Sequence, residues 1–159
     1  MPTPTYDLIS STVLGSSTST VSLSSIPSTY RDLVIVVTAI SSVNAQLRAR
    51  PNGATTNHLS LAAESTGATT ASVTFSNLGE LSQFNNFGTE YAITIIHFFD
   101  YAQTNKHKSV LMRMNRAGQG VAMMGGRWAS TTAISSIDIY NDSGTWSAGS
   151  TLYLYGIAG

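Results

Sequence analysis

The sequence predicts an all-β fold, an antiparallel β-sandwich built from one domain over residues 1–159. Short segments rich in Val, Ile, Thr, Tyr and Phe recur between clusters of Gly, Asn, Ser and Pro. Several of them alternate apolar and polar residues with the period of two that a half-buried strand requires. No stretch carries a sustained 3.6-residue apolar period, and "NLGELSQF" from Asn77 is the one segment with room for a turn or two of helix.

Taken in chain order, strands are expected near 5–14, 20–25, 32–41, 46–50, 58–63, 71–76, 91–99, 107–115, 120–129, 134–140 and 150–157. The clearest turn chemistry between them is Pro51-Asn52-Gly53 and Asp142-Ser143-Gly144. In "TVSLSS" and "AISSIDIY" the apolar residues fall on one face only, so these strands keep a wet side. In "DLVIVVTAIS" and "YAITIIHFFD" both faces are apolar: Ile96 and Phe98 oppose Ile93, Ile95 and Phe99. A sheet of a sandwich has one inner face, so the second apolar face calls for cover, either by another subunit or by the loops between 52 and 90. The last strand sets Leu152 and Leu154 against Tyr153, Tyr155 and Ile157.

Composition narrows the function classes. Charged residues make up 10% of the chain, against about 25% in an ordinary globular protein. Ser and Thr together account for roughly a quarter of positions, so hydroxyls coat much of the surface. Eight basic and eight acidic residues cancel, which argues against nucleic acid as a partner. The opening "MPTPTYDLIS" has neither the basic segment nor the apolar run of a signal peptide, and "LVIVVTAI" is too short to cross a bilayer, so a soluble protein assembled in a cytoplasm is expected, with no membrane partner. With no cysteine, neither disulfides nor thiolate metal sites are available.

Catalytic chemistry finds little to work with. His97 sits in an apolar strand and reads as an interior or interface histidine; His107 reads as a solvated turn residue. His97, Asp100 and His107 lack close metal-ligand spacing, no two carboxylates pair locally, and there is no nucleophile elbow or phosphate-binding glycine loop. Gly125-Gly126 reads as a bulge or a close backbone approach, and Asn141-Asp142-Ser143, a sequon by pattern, reads as a turn. No catalytic residue, metal or cofactor is expected. Arg48 and Arg50 project from one face of "QLRARPNG" and could clamp a neighbour's carboxylate or shield a strand edge. Trp128, Trp146, Tyr140, Tyr153 and Tyr155 could form a sugar platform or serve core and subunit packing. The expected partner or subunit interface therefore comprises Arg48, Arg50, Phe98, Phe99, Trp128, Trp146, Tyr153 and Tyr155.

The opening "YDLISSTVLGSSTSTVSLSSIPSTYRDLVIVVTAIS", the central "LRARPNG" and "NKHKSVL", and the closing "GRWASTTAISSIDIYNDSGTWSAGSTLYLYGI" resemble small virion structural proteins of tailed bacteriophages. The likeness covers most of the chain and is weakest between about Ala54 and Thr89. It implies a jelly-roll-like sandwich, commonly a homotrimer, that decorates the outer capsid surface by binding the major capsid protein. A tail-fibre module that recognises a host glycan or protein is the alternative. A lectin-type carbohydrate-binding module is a third reading, from a different class.

Overall fold

In the computed structural model the chain is described over residues 5–118 and 120–159, with the backbone alone at 77, 78 and 82–87. Twelve strands follow one another: β1 (Tyr6–Val13), β2 (Thr20–Leu23), β3 (Asp32–Ala39), β4 (Ala45–Pro51), β5 (His58–Ser65), β6 (Thr70–Leu78), β7 (Leu81–Phe87), β8 (Ala92–Phe99), β9 (Lys108–Arg116), β10 (Gly120–Trp128), β11 (Ile137–Asn141) and β12 (Thr151–Ile157). They form an antiparallel sandwich, with a large sheet of order β1-β12-β3-β8-β9-β10-β5-β6 and a small sheet of order β2-β11-β4-β7. There is no helix among the described residues.

The topology is a jelly roll with two insertions. β1-β12-β3-β8 and β2-β11-β4-β7 are its two four-strand layers, with β7 lying over β10 and β5, and the chain passes between the sheets at β1 to β2, β2 to β3, β3 to β4, β4 to β5, β6 to β7, β7 to β8, β10 to β11 and β11 to β12. The β5–β6 hairpin is inserted between β4 and β7, and the β9–β10 hairpin between β8 and β11. The two hairpins pair with each other through β10 and β5, and with the parent sheet through β8 and β9, so they double its width.

Alternation explains the core. Leu33, Ile35 and Val37 of β3, Ile96 and Phe98 of β8, and Leu152 and Leu154 of β12 point inward and are almost fully buried. From the small sheet Leu47, Ala49, Ile137 and Ile139 meet them, with Trp146 wholly enclosed. Trp146 also exchanges backbone hydrogen bonds with Thr18, and its indole N–H donates to Asn141 Oδ1. Burial at roughly 25 cal/mol per Å² of apolar surface makes this shared interior the main source of stability.

Gly156 and Gly126 are among the glycines that mark close approaches. A side chain at Gly156 would run into the Tyr30 ring, and one at Gly126 would press on Leu81 and Met124. The close approach expected at Gly125-Gly126 is thus made at Gly126, where β7 crosses β10, while Gly125 opens outward. Gly53 and Gly144 take the positive φ of 65° and 64° that their turns require.

Two sequence expectations need correction. The segment from Asn77 has no helical turn: its backbone ends β6, turns at Gly79-Glu80 and begins β7. Its apolar residues, Leu78, Leu81 and Phe84, stand three apart and do not show the alternation of a strand. The region between 52 and 90 does not cover the outer faces of β3 and β8 either. It extends the sheet sideways through β5 and β6 and supplies an edge of the small sheet through β7.

Candidate functional site: the two outer faces

The outward side of the small sheet is polar and closed on itself. Arg48 donates to Glu80 at 2.7 Å and to Asp142 at 3.2 Å, Arg50 lies 3.5 Å from Glu80, and Ser22 donates to Asp138 at 2.7 Å. The Arg50 guanidinium lies over the Tyr140 ring, 4.9 Å from its centroid, and donates to the phenolic oxygen at 2.7 Å. Burial pushes the Tyr140 phenol up, and the nearby Glu80 carboxylate adds to it, to about 12. Arg48 and Arg50 do share one face, as the alternation required, but their charge is spent on acids of their own chain.

The outward side of the large sheet is the opposite. Side chains there stand in rows across the eight strands, because each neighbouring pair is in antiparallel register. One row reads Ser11, Tyr153, Val36, Ile95, Arg113, Met123, Ala63, Ser72; the next reads Leu8, Tyr155, Val34, His97, Leu111, Gly125, Leu61, Thr74. Exposure of large apolar side chains concentrates on this face: Leu8 is 56% exposed, Leu61 58%, Ile93 48%, Leu111 45% and Met123 59%. Monomeric proteins rarely leave so wide an apolar surface in water.

Within it lies an open groove of about 1230 Å³, floored by Ile93, Ile95, Val121 and Met123 and rimmed by Tyr91 and the hydroxyls of Ser65, Thr70 and Ser72. Arg113 and Asn115 rise from its floor. Arg113 makes no ion pair or side-chain hydrogen bond among the described residues. A smaller depression of about 520 Å³ lies over Gly125, between Leu59, Leu61 and Thr74.

At the far end of the face Tyr6 meets Tyr155 edge-on at 6.3 Å, and Tyr153 stacks near Tyr155 at 6.4 Å. His97 stacks on Phe99 and approaches Asp32 at 3.5 Å. Burial acts to raise the Asp32 carboxyl, but the Asp100 amide and the Arg31 guanidinium outweigh it and hold the group below the usual carboxylate range. Asp100, at φ 48°, gives its carboxylate to Lys106 at 2.9 Å. His97, Asp100 and His107 therefore do not converge, and no group of three or more His, Cys, Asp or Glu side chains does so among the described residues. Lys108, next to His107, is fully buried; its ammonium donates to the carbonyls of Gln103, Lys106 and Thr131, and burial holds it below its usual range.

Of the eight residues expected at an interface, Phe99, Tyr153 and Tyr155 lie on the apolar outer face, half-buried. Phe98 and Trp146 lie in the core, and Trp128 is buried beside His58, so these three offer no surface. The aromatic platform drawn from Trp128, Trp146, Tyr140, Tyr153 and Tyr155 does not assemble, because the five are divided between the interior and two opposite faces. Asn141, the sequon asparagine, is buried and donates to Ser41 Oγ at 3.1 Å. The groove residues Tyr91, Arg113 and Asn115 were not singled out from sequence, although "LMRMN" alternates in a way that places Leu111, Arg113 and Asn115 on one side.

No protein-family model and no curated protein matches this chain. Among solved structures it is similar to galectin LEC-6 of Caenorhabditis elegans, at 10% identity and a TM-score of 0.40, over 94% of this chain and 96% of that one. It is also similar to an exo-inulinase of Aspergillus awamori, at 10% identity and a TM-score of 0.47, over 95% of this chain but 29% of the inulinase.

Proposed function

We propose that this chain is a non-enzymatic structural protein of a tailed-phage virion, one that sits on the outer capsid surface and binds the major capsid protein through the outward face of its large sheet. The observation that carries the reading is the contrast between a small-sheet face whose Arg48 and Arg50 are paired with acids of their own chain and a large-sheet face that leaves Leu8, Leu61, Leu111 and Met123 in water. Burying such a surface against a preformed lattice stabilises the assembled shell by mass action, since the bound form alone gains the contact free energy. The resemblance of the terminal segments to virion proteins points the same way.

The test is to mix the purified protein with capsids that lack it and to follow both binding and shell melting. Binding with a raised shell melting temperature is expected, and the double variant Leu111→Ser, Met123→Ser should bind at least tenfold more weakly while keeping its own fold. Wild-type protein that ignores the shell would sink the capsid reading.

The groove favours a second reading, recognition of a host glycan by a fibre or lectin-type module. Tyr91 offers a ring to a sugar face, and Arg113 and Asn115 offer planar hydrogen-bonding groups beside a rim of hydroxyls. Titration with oligosaccharides separates the two readings, because Arg113→Gln and Tyr91→Ala would each abolish glycan affinity under this one.

A further inference from the structure

The four sheet edges are not equally protected. β1 carries Asp7 and a bulge between Leu8 and Ser10, β2 is four residues long, and β7 slips register against β4 between Gln46 and Arg48. Such features stop a strand from templating another chain. β6 has none of them over most of its length. It runs nine residues, Thr70–Leu78, with no charge, proline or glycine, and from Thr70 to Ser76 its ladder to β5 is unbroken. β5 occupies one side of β6, and among the described residues no strand pairs with the other. Its free N–H and C=O groups form a ready ladder.

The sequence of this edge is also complementary to itself. We infer that two copies of the chain join through β6, antiparallel about a two-fold axis at Val73. In that register Thr70 faces Ser76, Ala71 faces Phe75, Ser72 faces Thr74, and Val73 faces its own copy. Thr70, Ser72, Thr74 and Ser76 lie on the outward side and are exposed, so they meet as cross-strand hydroxyl pairs. On the inward side Val73 and Phe75 pack against the core yet remain partly open. The partner's Val73 and Ala71 close over them, with the small residue opposite the large one.

A charge-free edge gives a foreign strand nothing ionic to select, whereas a two-fold operator repeats every favourable pair twice. The large sheets of the two copies then run on as one, twice as wide, in place of the trimer that the resemblance to virion proteins implies. The inference concerns the protein alone and stands apart from what its outer face binds.

The absence of cysteine makes the test clean. Light scattering of the purified full chain should give twice the chain mass. Hydrogen-bonded and closely spaced non-hydrogen-bonded pairs alternate along an antiparallel ladder, so either Val73→Cys alone or a mixture of Ser72→Cys with Thr74→Cys falls at the close site suited to a disulfide. One of these two should trap a covalent dimer on oxidation, whereas Thr70→Cys alone should not. The double variant Ser72→Lys, Thr74→Lys places like charges across the joint and should halve the mass with an unchanged circular dichroism spectrum. A mass other than twice the chain, or a dimer that neither cysteine set traps, would overturn the pairing. Because capsids take no part in these measurements, this result is read independently of capsid binding.

Discussion

The two outer faces of this sandwich are built from strands of the same antiparallel kind and meet water very differently. On the small sheet each exposed arginine has an acid within reach, and Tyr140 is held under Arg50. On the large sheet hydroxyls stand at the margins, Arg113 and Arg127 have no ion pair among the described residues, and much of the middle is aliphatic. The lesson is that an alternating strand fixes which residues face outward and leaves open whether the outward side is finished. A closed face stabilises the monomer. An unfinished one leaves apolar surface in water.

Mutations should separate the faces by size of effect. Arg48→Ala should cost the most, about 2 kcal/mol, because Glu80 and Asp142 would lose their shared cation while Glu80 stays partly buried. Chemical denaturation measures it, and a loss below about 0.5 kcal/mol would mean that the small-sheet face is no more closed than the other.

Tyr140→Phe should come next, at about 1 kcal/mol near neutrality, from the lost hydrogen bond to Arg50. It should also change the alkaline limb. A phenol whose pKa is raised from 10.0 to about 12 on folding contributes stability that is fully present below the unfolded value and lost as pH rises between the two. Wild-type stability should therefore fall by on the order of 2 kcal/mol over that window from this group. Tyr140→Phe should lack that component of the fall, so denaturation curves at pH 9 and pH 12 compare the two proteins directly.

Leu111→Ser and Met123→Ser on the large-sheet face should have the smallest effect on the isolated chain, within about 0.5 kcal/mol each, since both side chains are already in water. If either destabilised the protein as much as Arg48→Ala does, the face would be covered in solution by something that must be accounted for.

Much of this was legible in the sequence. Period-two alternation located eleven of the twelve strands to within a few residues, and the doubly apolar runs at β3 and β8 announced an outer face short of polar cover. β7 was missed because its apolar residues, Leu81, Phe84 and Phe87, recur every third position and so lack the alternation that marks a strand. Trp146 and Phe98 were placed with interface candidates because an aromatic side chain reads alike whether it fills a core or a contact. Arg48 and Arg50 were read as free because their acids, Glu80 and Asp142, lie far away along the chain and arrive only through the turns before β7 and after β11. Arg113 drew no notice because a single arginine in a strand carries no pattern; its standing comes from the register that sets Ile95 and Met123 on either side.

The joint between the two inserted hairpins has a kinetic consequence. β5 cannot complete its ladder until β10 has been made and folded back, and the two strands are separated by β6 through β9. Until then one whole side of β5 and all of its hairpin have no neighbour in the sheet. Distant pairings of this kind belong to slow folders, with times of milliseconds to seconds in small β proteins. The β5–β6 hairpin should therefore dock late, and a nascent chain halted before β10 would display its uncharged edge to every other copy on nearby ribosomes.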